Sequence, residues 1–110
     1  MVKRVKITGQ QGRWLAEAEG RWLPCIHTRW LKTPSMTYHD PHAGDHVGSK
    51  RYEEWIEAMR SQSLVILQKD KPDSFARAGY IGIFEFENLK LGDDGSVSLR
   101  LTARYADPKS

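Results

Sequence analysis

The chain has a single cysteine and no long apolar run. Because Cys25 is the only cysteine, an internal disulfide is excluded, and a lone thiol is typical of a protein in a reducing compartment. No apolar stretch approaches the ~20 residues of a membrane-spanning helix. The basic residues near the start are not followed by an apolar segment, so we expect no signal peptide. These absences predict a cytoplasmic protein with no membrane contact.

A convergent set of catalytic residues is also missing from the sequence. Gly79 and Gly82 lack the spacing of a phosphate-binding loop, and no helix is expected directly after them. Cys25 and His27 lie on one face of a predicted strand, but such neighbours are ~6–7 Å apart, beyond the reach of a Cys–His nucleophile. We therefore assign no catalytic residue, expect no cofactor and do not predict an enzyme.

The chain is long enough, and rich enough in aromatic residues, for one core. It has 110 residues, with four Trp, four Tyr and three Phe. Large rings dominate the stability of small domains, so we expect at least two of the four tryptophans in the core. The sequence predicts one globular domain over residues 1–105 and a tail at 106–110.

The apolar pattern predicts an α+β fold with the order β-β-β-α-β-β-β. Residues 49–61 form the one clear helix, because Tyr52, Trp55, Ile56 and Met59 follow helical spacing after Ser49 as N-cap. The run at 64–67 predicts a central strand that is buried on both faces. We expect a curled, mainly antiparallel sheet, a partial barrel, with the helix packed on it.

The segment Ala18-Glu19-Gly20 predicts a hairpin whose register depends on loop length. A two-residue loop places Trp14 and Trp22 on opposite faces. A three-residue loop pairs Glu17 with Arg21 and places both tryptophans on one face. We favour the three-residue loop because it pairs opposite charges.

The final predicted strand, at 96–105, alternates cleanly between apolar and polar residues. Val97, Leu99 and Leu101 are expected to face inward, together with Ala103 and Tyr105. The alternate positions, Ser98, Arg100, Thr102 and Arg104, are then expected to share the outward face.

Residues 33–48 contain two prolines and two glycines and are predicted to form a loop. Three histidines in this loop, His39, His42 and His46, are of a type that binds zinc. A proline and a glycine between them prevent the helix that would aim them at one point. We therefore predict no metal here, and a metal-dependent enzyme is the weakest of three functional hypotheses.

Arginine and tryptophan are interleaved, since Arg-Trp-Leu recurs at positions 13, 21 and 29. Aromatic rings stack on bases and arginines contact phosphates. The leading hypothesis is a small module that binds nucleic acid through a basic sheet surface, and the alternative is a protein-binding accessory or inhibitor domain. The partner is then nucleic acid or an acidic protein surface. The residues expected on this surface are Arg13, Arg21, Arg29, Lys32, Arg100 and Arg104.

Overall fold

The structure is a computed structural model that describes residues 2–11, 14–41, 43–69 and 79–109. Within these ranges the chain forms nine strands and one α-helix, with short 3-10 turns at Thr28–Trp30 and Ala43–His46. The strands are β1 (Lys3–Val5), β2 (Ile7–Gln11), β3 (Leu15–Ala18), β4 (Arg21–His27), β5 (Leu31–Lys32), β6 (Thr37–Asp40), β7 (Leu64–Gln68), β8 (Tyr80–Leu91) and β9 (Val97–Pro108). The helix α1 covers Lys50–Ser61.

No helix in the described ranges has both the length and the apolarity to cross a membrane. The prediction of a small α+β domain with one helix is confirmed, although the strands are more numerous than expected.

The strands form one large, mostly antiparallel sheet. Its order is β2-β3-β4-β7-β8-β9-β6-β5, and β1 pairs in parallel with the end of β9. Over the described residues this sheet remains unclosed. The N-terminal segment contacts two separate parts of the sheet, because β1 pairs with the end of β9 and β2 pairs with β3 at the edge. Val5 on β1 belongs to the same apolar cluster as Ala16 on β3 and Ala106 on β9.

The helix forms where its sequence signals predict it. The Ser49 side chain accepts a hydrogen bond from the Tyr52 N–H at 3.1 Å, which satisfies one of the free donors of the first turn. The apolar stripe of the helix is buried against the sheet. Trp55 also donates from Nε1 to the Cys25 carbonyl oxygen at 2.9 Å, which fixes the helix to β4.

Apolar clusters cover both faces of the sheet, as the predicted central strand requires. On β7, Val65 and Leu67 pack in the cluster that contains α1, and Leu64 and Ile66 pack in the opposite cluster. We name the side that carries α1 the helix face and the other side the outer face. The prediction that this strand is buried on both faces is confirmed.

The predicted hairpin register is wrong. Ala18 pairs with Arg21 and Glu17 pairs with Trp22, so the loop has two residues. Glu19 and Gly20 both have left-handed φ values, 53° and 76°, as a type I′ turn requires. This turn matches the right-handed twist of the strands, and its geometry outweighs the gain from a Glu17–Arg21 pair.

Two further boundaries differ from the prediction. The segment predicted as a loop at 33–48 contains β6, which pairs with β9, and a 3-10 turn. Strand β9 continues to Pro108, so residues 106–108 of the predicted tail belong to the sheet beside β1. Both additions depend on pairing between distant parts of the chain, which local sequence does not reveal.

Tryptophan burial is less complete than predicted. Trp55 is 2% exposed, whereas Trp14 and Trp30 are partly buried against the same cluster. Trp22 is 38% exposed. One tryptophan is therefore a full core residue and one is a surface residue.

Candidate functional site

Two of the predicted basic residues come together on the outer face. Lys32 on β5 pairs with Thr37 on β6, which in turn pairs with Arg100 on β9. Residues paired across strands point to the same face, so Lys32 and Arg100 lie ~10 Å apart. Glu87 on β8 flanks Arg100 on the other side and accepts a hydrogen bond from Arg100 Nη1 at 2.8 Å. This ion pair is half exposed and offsets part of the positive charge.

A second polar row runs beside the first. His39 pairs with Ser98, and Ser98 pairs with Lys90 on its other side. The His39 Nδ1 atom lies 2.6 Å from the Ser98 hydroxyl oxygen. The two rows together form what we name the polar patch, which consists of Lys32, Thr37, His39, Glu87, Lys90, Ser98 and Arg100. It carries three permanent positive charges against one negative charge.

Arg104 lies on the helix face, and the predicted outward alternation of β9 is therefore wrong at this end. Glu85 pairs with Ala103 but Phe86 pairs with Leu101, so β9 contains one extra residue at this point. Such a bulge reverses the faces beyond it. The Arg104 guanidinium consequently stands 4.7 Å from the ring centroid of Phe84, a residue of the helix-face cluster.

The contacts of Arg104 are structural. Its Nη1 donates to the Ile81 carbonyl oxygen at 3.0 Å and to Asp107 Oδ1 at 2.8 Å. The guanidinium also covers Gly82, where a side chain would collide with it. The backbone at Gly82 therefore lies close to this side chain, and Arg104 fastens β9 to β8.

The remaining predicted basic residues are Arg13, Arg21 and Arg29. The Arg29 guanidinium is 5.0 Å from the ring centroid of Trp30. Arg21 is exposed at the start of β4, and Arg13 lies outside the described residues. The structure places Lys32 and Arg100 together on the outer face and Arg104 on the helix face, and Arg21 lies on β4, which β7 and β8 separate from β9.

The histidines of the segment 33–48 are also separated. His39 lies in the polar patch, whereas His46 stacks edge-on against Trp14 with ring centroids 5.1 Å apart. His42 lies outside the described residues. Among the residues that the structure describes, no group of three or more His, Cys, Asp or Glu side chains is placed to hold a metal ion.

Sequence reasoning missed the surface around Trp22. This residue follows the β3–β4 turn, and its carbonyl oxygen accepts a hydrogen bond from Gln62 Nε2 at 2.6 Å, just after α1. Trp22 borders two open grooves between β4 and the helix. In the described part of the chain, Trp22 and Val47 are the large apolar residues that remain exposed.

The two grooves carry opposite charges. One, the acidic groove, has Leu15, Trp22 and Ala58 beside three glutamates of α1, and it is lined by Leu15, Trp22, Glu53, Glu54, Glu57, Ala58, Ser61 and Gln62. The other, the basic notch, is lined by Arg21, Trp22, Arg60, Ser61, Gln62 and Ser63. We name the two grooves together the Trp22 surface. An exposed indole between carboxylates and guanidinium groups offers both apolar and charged contacts to a partner.

Three side chains fix the turn that precedes Trp22. Lys3 Nζ donates to Glu19 Oε2 at 2.9 Å and to the Tyr105 hydroxyl at 2.6 Å, and that hydroxyl donates to Glu19 Oε1 at 2.9 Å. The hydrogen bond from Lys3, followed by that from Tyr105, lowers the pKa of Glu19 below its ordinary value. The turn is thereby tied to β1 and β9, which orients the first residues of β4.

Comparison with protein-family models, with curated proteins and with solved structures finds no match to this chain. The polar patch and the Trp22 surface are therefore the features from which a function can be inferred.

Proposed function

We propose that this protein is a small protein-binding module whose contact surface is the Trp22 surface. The observation that carries the proposal is the 38% exposure of Trp22 between two charged grooves. Tryptophan and arginine are the residues most enriched at the energetic centres of protein interfaces. Covering the exposed part of this indole contributes ~2 kcal/mol from apolar area alone.

The charges around Trp22 favour a protein over a nucleic acid at this surface. Glu53, Glu54 and Glu57 line the acidic groove, and Glu17 lies directly across from Trp22 on β3. These carboxylates outnumber the two arginines of the basic notch. A polyanion gains affinity by releasing counterions from basic groups, and it would be repelled by such a rim. A protein partner can match both signs of charge.

The proposal is tested by photo-crosslinking from position 53, which lines the acidic groove and leaves Trp22 in place. Glu53 is replaced by p-benzoylphenylalanine, and a control chain carries the same group at Thr102, an exposed position on β9. After irradiation in cells of the source organism, discrete protein adducts at position 53 and none at position 102 are expected. A chain that forms no protein adduct from position 53 contradicts the proposal.

Nucleic-acid binding through the polar patch is the second candidate. It is favoured by the placement of Lys32, Lys90 and Arg100 in two adjacent rows on an exposed face. With only two net positive charges, the patch predicts weak binding that disappears as salt rises.

Anisotropy titrations with short single- and double-stranded oligonucleotides, at low and physiological salt, test this candidate. Binding at low salt that is lost in a K32A/R100A variant and retained in W22A supports it. No binding at low salt, or binding that K32A/R100A leaves unchanged, removes the polar patch as a nucleic-acid site.

A further inference from the structure

The arrangement of charge about Trp22 is the kind that a surface needs in order to bind itself. In a two-fold dimer the same patch is used by both subunits, so each contact from residue i to residue j occurs twice. A patch with a single sign of charge repels its own copy. The Trp22 surface instead has acid on one side of the indole and base on the other.

On the basis of the protein-binding function proposed above, we infer that the occupant of the Trp22 surface is a second copy of this chain, related by a two-fold axis. The axis passes beside Trp22, between Glu57 of the acidic groove and Arg60 of the basic notch. Rotation by a half turn then sets Arg60 of each copy opposite Glu57 of the other. The two α1 helices run antiparallel, which is also the favourable orientation of their dipoles.

Apolar contacts complete this arrangement. The acidic groove contains Leu15 and Ala58 next to Trp22, so each indole has an apolar surface on the other copy to cover. Ala58 and Ser61 lie one helical turn apart on α1, and both line this groove. Their small side chains allow the second copy to approach the helix closely.

The size of the surface sets the expected affinity. Eleven residues line the two grooves, and Trp22, Ser61 and Gln62 line both. A stable interface of standard size uses about 20–30 residues on each side. The dimer is therefore weak, with a dissociation constant in about the micromolar range.

Sedimentation velocity of the full chain over a concentration series tests the inference. The wild type is expected to shift from a monomer of 12.6 kDa towards twice that mass as concentration rises. W22A is expected to raise the dissociation constant ~30-fold or more, as loss of a central anchor does. The matched control is V47A, which truncates another exposed apolar residue away from both grooves and should leave the dissociation constant unchanged.

A charge-swap experiment tests the geometry. R60E opposes two carboxylates in each contact, and E57R opposes two cations, so each variant alone is expected to be monomeric. When R60E and E57R are mixed, both contacts of the mixed dimer join opposite charges, and the mass shift is expected to return. Circular dichroism and thermal melts of each variant verify that it is folded.

A wild type that stays monomeric at millimolar concentration overturns the inference, as does a W22A chain that dimerises like the wild type. Failure of the R60E and E57R mixture to associate overturns the proposed axis. The proposed function is tested separately. Monomeric wild type with position-53 crosslinks to a different protein leaves the protein-binding function standing and removes the second copy as partner. The absence of any position-53 adduct removes both.

Discussion

Two tryptophans, one within β4 and one that packs on it from the helix, have different environments. Trp55 is 2% exposed, contacts Trp14 and donates to the Cys25 carbonyl oxygen beneath the helix. Trp22, the second residue of β4, lies beside the helix and keeps 38% of its surface exposed. The first is fully buried and the second only partly. The region around Trp55 therefore contributes to stability, and the region around Trp22 is the one that we propose binds a partner.

Truncation at Trp55 is expected to have the largest effect. W55A removes an indole from the core, and its free energy of unfolding should fall by ~3–5 kcal/mol, as for other large core truncations. W55F keeps most of the volume but removes the hydrogen bond from the indole to the Cys25 carbonyl oxygen, so a smaller loss of ~1–3 kcal/mol is expected. Urea denaturation followed by circular dichroism measures both. A W55A chain whose free energy of unfolding lies within ~1 kcal/mol of the wild-type value would show that Trp55 does not hold the helix against the sheet.

The same truncation at Trp22 is expected to have a smaller effect on monomer stability. More than a third of this residue is exposed, at 38%, so W22A should lower the free energy of unfolding by ~1–2 kcal/mol, less than W55A, with an unchanged dependence on urea. The measurement is made at low micromolar concentration, because self-association would add stability by mass action. A loss of unfolding free energy comparable to that of W55A would show that Trp22 is a core residue and would remove the contrast between the two regions.

Of the two regions, the one around Trp55 was the more predictable from the sequence. Helix α1 could be located because an N-cap serine and four apolar residues at helical spacing are local signals. Strand β7 could be located because an unbroken apolar run needs burial on both faces. Both features are decided within about a dozen residues of sequence, and tertiary packing agrees with them.

Features that depend on distant pairing were not predictable. Strand β6 has four residues that give little local signal, and it forms because its Thr37–Asp40 backbone pairs with β9, about sixty residues later. The bulge in β9 moves Arg104 to the helix face although its sequence alternates perfectly. Register and bulges are set by the neighbouring strand.

Trp22 was missed for a different reason. A large aromatic residue is expected in the core unless something prevents its burial, and sequence shows how many tryptophans exist but not which of them the helix covers. The observation that would have helped is the two-residue turn at Glu19-Gly20, which pairs Trp22 with Glu17. A tryptophan paired across strands with a carboxylate is an indication of a half-exposed position.

The smallest expected effect concerns the contacts that hold the turn before Trp22. The lowered pKa of Glu19 means that its ionised form is favoured in the folded chain. The stabilisation that ionised Glu19 gives the folded chain is therefore present above the ordinary pKa of 4.5 and is lost as pH falls through the lowered pKa. The pKa of Lys3 is raised, first by its hydrogen bond to Tyr105 and then by that to Glu19, so its contribution is lost only when pH rises above the ordinary value of 10.5. The stability difference between wild type and E19Q should therefore be constant near neutral pH and shrink below pH 4.5.

Since these groups are exposed to solvent, the stability difference between wild type and E19Q is small and should decrease with added salt. Thermal melts across pH measure it, and K3M/Y105F supplies the matched background, in which E19Q should have no further effect. A difference that persists unchanged at pH 3, or in the K3M/Y105F background, would show that Glu19 acts through the left-handed turn itself and not through its two partners.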